Sequence, residues 1–145
     1  MARLKKPVDY VNRLLLNPNS DIRKLGENLQ KQYEQWKRSL NLKHLLNFMK
    51  TIQENRDKIG VAQLFGKFRA YSFEEFVYRL IQTKVFLPKG LSLYWGEKCL
   101  IWKKSNQKYA MELDVLIGRK IDNLVDATIA IDTKVELDAS RLKRL

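Results

Sequence analysis

Cysteine and histidine each occur once in the 145 residues, as Cys99 and His44. A single cysteine excludes an internal disulfide, and a single histidine excludes a His-rich metal centre or a catalytic pair of histidines. No apolar run approaches the roughly 18 residues that a membrane-spanning helix needs, so no membrane partner is expected. The opening stretch, MARLKKPVDYVNRLLLNP, is basic but lacks the apolar core and small-residue cleavage site of a secretory signal. An intracellular protein, cytoplasmic or nucleoid-associated, is the expectation. There is neither an internal repeat nor a low-complexity tract.

Acidic residues are also scarce. Sixteen Asp and Glu face 28 Lys and Arg, for a formal charge of +12 and a pI near 9.9. Residues 1–58 carry 13 basic and 6 acidic side chains and residues 59–145 carry 15 and 10, so the excess is spread along the chain. Such a field favours polyanions, of which nucleic acid is the commonest inside cells. With 45% hydrophobic and 10% aromatic residues, the composition is that of a folded chain with a core to bury.

Residues 7–58 read as helical. VDYVNRLLL precedes Asn17-Pro18, and SDIRKLGENLQKQYEQWKRSL and LKHLLNFMKTIQENRDKI follow. Ser20 or Asp21 suits an N-cap, and Ile22, Leu25, Leu29, Tyr33 and Trp36 recur at helical spacing as a core stripe. Gly60 and Gly66 interrupt the pattern. SFEEFVYRLIQ, residues 72–82, then reads as an amphipathic helix, with Ser72 and Glu75 spaced as a capping box. After Pro88-Lys89-Gly90 the character turns to strand: two short runs in LSLYWGEKCLIWKK, one in YAMELDVLIG and one in DATIAIDTKV. LDASRLKRL closes the chain like the start of a helix. Two regions follow from this reading: a helical N-terminal region, 1–58, and an α+β (α/β) core, 59–145.

The chemistry concentrates late in the chain. Asp114 falls inside an otherwise apolar strand, where an unpaired charge is costly. Asp132 and Lys134 close the next apolar run, and in a strand residues two apart share a face. Alone, that pair is either a surface ion pair or part of a site. If the two strands pair, Asp114 and Asp132 converge on a hard divalent cation, since carboxylate oxygens are the ligands Mg²⁺ prefers. Lys134 would stand beside them, and Glu74 on the preceding helix could add a carboxylate.

Glu74 in FEEFV, Asp114 in MELDVLI, and Asp132 and Lys134 in AIDTK together resemble the PD-(D/E)xK nuclease superfamily. The FEEFVYRLI helix is similar to the helix motif of its Mrr-like members. The match spans residues 72–134. The resemblance implies a restriction-endonuclease-like helix and mixed β-sheet, and a Mg²⁺- or Mn²⁺-dependent endonuclease hydrolysing DNA phosphodiester bonds. It further implies that Asp114 and Asp132 hold the metal with the Thr133 carbonyl, that Glu74 binds metal or positions water, and that Lys134 orients the nucleophile. A homodimer or a larger complex is the assembly such an activity would suit. Two features depart from the family pattern. Glu112-Leu113 precede Asp114, which leaves Glu74, Glu75 and Glu112 as rivals for the additional acidic position. Only 11 residues follow Lys134, so the core is expected to be short there, or completed by the N-terminal helices or a second subunit.

Other readings stand beside this one. Glu136 and Asp138 continue the alternation, as in a charged edge strand. Arg141, Lys143 and Arg144 read as a solvated face or a phosphate contact. Trp36, Trp95 and Trp102 are core candidates, with Trp95 beside Gly96 the one suited to stacking on a base. His44 reads as structural and Cys99 as buried and inert. The rival functions are a non-catalytic nucleic-acid-binding module and an interaction subunit of a larger nucleic-acid-processing complex.

Overall fold

The computed structural model describes residues 6–60 and 62–135. Helices come first: α1 (Pro7–Leu15), α2 (Ser20–Ser39), α3 (Leu42–Glu54), α4 (Arg56–Ile59) and α5 (Ala62–Lys84). Strands follow: β1 (Ser92–Trp95), β2 (Lys98–Lys104), β3 (Gln107–Glu112), β4 (Val115–Ile121) and β5 (Leu124–Ile131). The architecture is α+β, with N-terminal helices ahead of a mixed sheet. Among the described residues no helix is long and apolar enough to cross a membrane.

The helix starts are set by local chemistry. Pro7 opens α1, where its missing N–H costs nothing, and the Asp9 carboxylate accepts the Lys6 N–H at 3.3 Å. Asn19 caps α2, accepting from the N–H groups of Asp21 and Ile22, so neither Ser20 nor Asp21 is the cap. Asn caps as well as Ser or Asp, and sequence alone could not rank three adjacent candidates. Asn41 caps α3 through the Lys43 N–H at 2.8 Å.

α5 corrects two expectations. It begins ten residues before Ser72 and runs through Gly66 without a break. Ser72 is therefore interior, its hydroxyl donating to the Phe68 carbonyl at 2.7 Å, and Ser72 with Glu75 forms no capping box. Glu75 is 1% exposed. Both of its carboxylate oxygens lie 2.7 Å from the Tyr33 hydroxyl, which donates to the pair.

The chain forms two compact units. One holds the described residues up to Phe76 together with Lys134 and Val135; the other is Val77–Thr133. The boundary falls within α5, where the sequence reading puts it near residue 58. α5 is one continuous helix, whose earlier part contributes Phe68 and Phe76 to the first unit's core.

The helical unit is held by aromatic packing. Tyr10 stacks on Phe68 with centroids 5.0 Å apart, Phe68 meets Phe48 edge-on at 5.6 Å, and Trp36 sits between Tyr33, Phe48 and Phe76. Leu29, Leu45 and Ile52 complete it as fully buried residues. Trp36 is core, as its spacing implied. At Gly26 a Cβ would come within 3.0 Å of the Leu14 Cβ and the Leu15 nitrogen, so α1 and α2 approach at a position that only glycine leaves open.

In the sheet unit the strand order is β1-β4-β5-β2-β3. The pairings are antiparallel except for a short parallel contact between β2 and β5 at Cys99 and Val125. Cys99, Leu116 and Val125 form its core, flanked by Tyr94, Leu113 and Ala127, so Cys99 is buried as expected. β4 lies between β1 and β5, and its first four residues are all buried. The register slips between Ile117 and Gly118, where an added Cβ would run into the Asp126 carbonyl oxygen and sit 2.7 Å from the Ala127 Cα. Glycine is required there because the bulge brings the β5 backbone against it.

YAMELDVLIG is two strands. β3 ends at Glu112 and β4 begins at Val115, so Leu113 and Asp114 are the joint between a strand at the sheet edge and one inside it. β5 ends at Ile131, so Asp132, Thr133 and Lys134 follow the strand, and strand alternation does not set where Asp132 and Lys134 point. The closing segment 136–145, with Glu136, Asp138, Arg141, Lys143 and Arg144, lies outside the described residues.

Candidate metal centre at Asp114 and Asp132

β4 and β5 are joined by a two-residue turn, Asp122-Asn123, with Asp122 in the left-handed region at φ 57°. The tight turn sets the register as far as Gly118 and Ala127, and the bulge then shifts it by one residue, so that at the open end Val115 pairs with Ile131. Asp114 immediately precedes β4 and Asp132 immediately follows β5, and their side chains come within hydrogen-bonding reach.

Asp114 is held firmly. Its Oδ2 accepts the Thr133 N–H at 2.7 Å and the Thr133 hydroxyl at 3.0 Å. Its carbonyl accepts the Gly96 N–H at 2.9 Å, tying the joint before β4 to the turn after β1. Gly96 adopts φ 71°, a conformation that glycine enters without strain. The Asp114 carboxyl is half-buried, and it lies within hydrogen-bonding reach of the more exposed Asp132 carboxylate.

The electrostatics follow from that placement. Asp114 titrates above the ordinary carboxylate range. Burial is the main cause, and the Asp132 carboxylate adds to it by accepting a hydrogen bond from the protonated form and by repelling the ionised one. The two Thr133 hydrogen bonds pull the other way, without cancelling the rise. Two carboxylates are thus kept together at a cost that a shared proton or a cation relieves.

Of the remaining candidates, Glu74, 8% exposed, and Lys134 are assigned to the helical unit, and Asp114, Asp132 and Thr133 to the sheet unit. Glu75 is engaged by Tyr33 in the helical core. Glu112 is exposed and pairs across the ladder with Lys98. Among the described residues no group of three or more His, Cys, Asp or Glu side chains is arranged to hold a metal ion. A pair of carboxylates still suits Mg²⁺, which keeps several waters and is commonly bound by one or two carboxylates together with substrate phosphate.

Sequence reasoning missed Thr133 as the anchor of Asp114 and Gly96 as its backbone tether. A hydroxyl residue between Asp132 and Lys134 was the available signal for the first, though nothing in a linear sequence aims it at residue 114. The expectation for Trp95 also changes: it is half-buried and stacks on Tyr78 at 5.6 Å, a packing role. His44 bonds the Ser39 hydroxyl at 2.7 Å, in keeping with a structural part.

No protein family, curated protein or solved structure matches this chain.

Proposed function

We propose that the protein is a metal-dependent DNA endonuclease of the PD-(D/E)xK type, with Asp114 and Asp132 as its metal-holding carboxylates. The observation that carries the reading is the pairing of these two side chains at the open end of the β4–β5 hairpin, with Asp114 pushed up in pKa by burial and by its neighbour. Support also comes from the order of parts: a helix bearing Glu74, three strands, an acid entering β4, and an acid leaving antiparallel β5 followed by x-Lys.

Bound Mg²⁺ or Mn²⁺ would supply an activated water and neutralise charge on the scissile phosphate. Asp114 and Asp132 would hold the ion, and Thr133 would keep the Asp114 carboxylate aimed; the motif adds the Thr133 carbonyl as a further ligand. Lys134 would orient the nucleophile and Glu74 would bind metal or position water, roles that rest on the sequence motif. The basic surface would hold the DNA backbone, so affinity falls steeply with salt. Which DNA is cut, and whether a homodimer or larger complex cuts it, belongs to the same proposal.

The test is cleavage of plasmid DNA with Mg²⁺ or Mn²⁺, alongside thermal unfolding with and without the ion. Wild type should cut, and about 10 mM Mg²⁺ should raise its midpoint, by about 1.4 kcal/mol of stability for each tenfold excess over the dissociation constant. Asp132→Ala should lose at least about 100-fold in cleavage, the scale of a principal transition-state contact, and its midpoint should stop responding to Mg²⁺. DNA binding without cleavage under either ion, and with no divalent response in wild type, would instead identify the non-catalytic binding module that the +12 charge also suits.

A further inference from the structure

The β2–β3 hairpin carries a surface that the carboxylate pair does not account for. Its strands meet at a two-residue turn, Ser105-Asn106, with Ser105 in the left-handed region at φ 51°. Trp102 and Tyr109 are direct cross-strand partners, and their rings stack with centroids 6.2 Å apart and planes 20° from parallel. Both are about half exposed, at 47% and 48%. Met111, two residues along from Tyr109 and so on the same face, is exposed as well. Burying a Trp is strongly favourable, so leaving one open beside a Tyr is unusual where packing alone decides.

The charge around the rings says what covers them. Residues 98–112 hold Lys98, Lys103, Lys104 and Lys108, all exposed, against one acid, Glu112. Lys104 shares the ring face by strand alternation, whereas the cross-strand partners Lys103 and Lys108 stand on the opposite face of the hairpin. Lys108 also meets Asp122 from the β4–β5 turn at 3.5 Å. Aromatic faces set among cations are what unpaired bases on a phosphate backbone require.

We propose that the Trp102–Tyr109 pair is a stacking platform for single-stranded nucleic acid, with Lys104, on the same face of the hairpin, meeting a phosphate. It stands apart from the metal-centre reading, because it needs neither divalent ion nor the aspartates.

Fluorescence anisotropy with a labelled oligothymidylate of about 20 nucleotides, in EDTA, tests it on the full chain. Trp102→Ala and Tyr109→Ala should each weaken oligothymidylate binding about 5- to 150-fold, the scale of one lost base stack. Binding of a duplex of equal length should change less than about threefold, because its bases are already stacked. Trp102→Phe should keep most of the affinity, and an abasic strand should bind wild type as poorly as oligothymidylate binds Trp102→Ala. Lys104→Ala should flatten the salt dependence by about 0.7, the slope for one phosphate contact on a single strand. The proposal is overturned if the abasic strand binds wild type as tightly as oligothymidylate, a result independent of how any variant folds. It is equally overturned if folded Trp102→Ala binds like wild type, or if sedimentation shows the hairpin to be occupied by a second copy of the chain. Because no metal is present, loss of this binding and loss of cleavage are separate outcomes.

Discussion

Each unit holds a carboxyl group away from water, and they are treated in opposite ways. In the helical unit Glu75 is more deeply buried, but the Tyr33 hydroxyl bonds both of its oxygens and the Tyr33 ring packs against Trp36 and Phe48. In the sheet unit Asp114 is only half-buried, yet it faces a second carboxylate and its pKa rises. Asp114 has a neighbour of the same sign, placed there by the register of β4 and β5 when a neutral side chain would cost less.

The contrast can be broken most forcefully from the helical side. Phe68→Ala should destabilise the protein by about 3–5 kcal/mol, since Phe68 is fully buried between Tyr10 and Phe48 and its loss leaves a cavity. Urea unfolding followed by circular dichroism measures this, and a cost under about 1 kcal/mol would mean the aromatic cluster is not the core described here.

A smaller effect addresses Glu75 directly. Tyr33→Phe should cost about 1–3 kcal/mol, the range for leaving a buried acceptor without its donor, with no change in any nucleic-acid phenotype. A double-mutant cycle with Glu75→Gln should recover most of that as coupling. If Glu75→Gln instead abolished cleavage while leaving stability intact, the acid assigned here to structure would belong to the site.

The subtlest test sharpens the Asp114 side. A carboxyl whose pKa is raised on folding binds more protons in the native than in the unfolded state between the ordinary and the raised value. Its contribution to stability is therefore present below the ordinary carboxylate pKa of 3.8 and is lost as pH climbs through the raised value. Asp114→Asn should thus raise the metal-free unfolding midpoint at pH 7 by a few degrees at most, with the gain shrinking toward pH 3. Saturating Mg²⁺ should narrow or reverse the order by stabilising only the wild type. A variant less stable than wild type at pH 7 without metal would show that Thr133 satisfies Asp114 more fully than Asp132 opposes it.

Much of this was legible in the chain. The helical stripes placed Leu25, Leu29, Tyr33 and Trp36 in a core because a 3.6-residue period leaves few alternatives. The turns at Gly96-Glu97 and after Lys104 separated the early strands correctly. The split at Leu113-Asp114 was not legible, because YAMELDVLIG has no Gly, Pro or Asn inside it to mark a break. The start of α5 was hidden by Gly66, whose cost of about 1 kcal/mol relative to Ala does not break a helix of 23 residues. Trp95 packs on Tyr78 while Trp102 stands about half exposed, a difference hidden for a related reason: local sequence does not say which tryptophan finds a partner in another element.

What the sequence determined by itself is the inventory and its order: a basic chain, amphipathic helices before strands, and acids at 114 and 132 in successive apolar runs. Those features are local, set by side-chain period, capping and turn chemistry within a few residues of one another. Only the tertiary structure decided that Glu75 is satisfied by a tyrosine 42 residues away, that Thr133 anchors Asp114, and that Trp102 and Tyr109 stand open on a lysine-lined hairpin. Each is a contact between distant residues, chosen by how the elements pack.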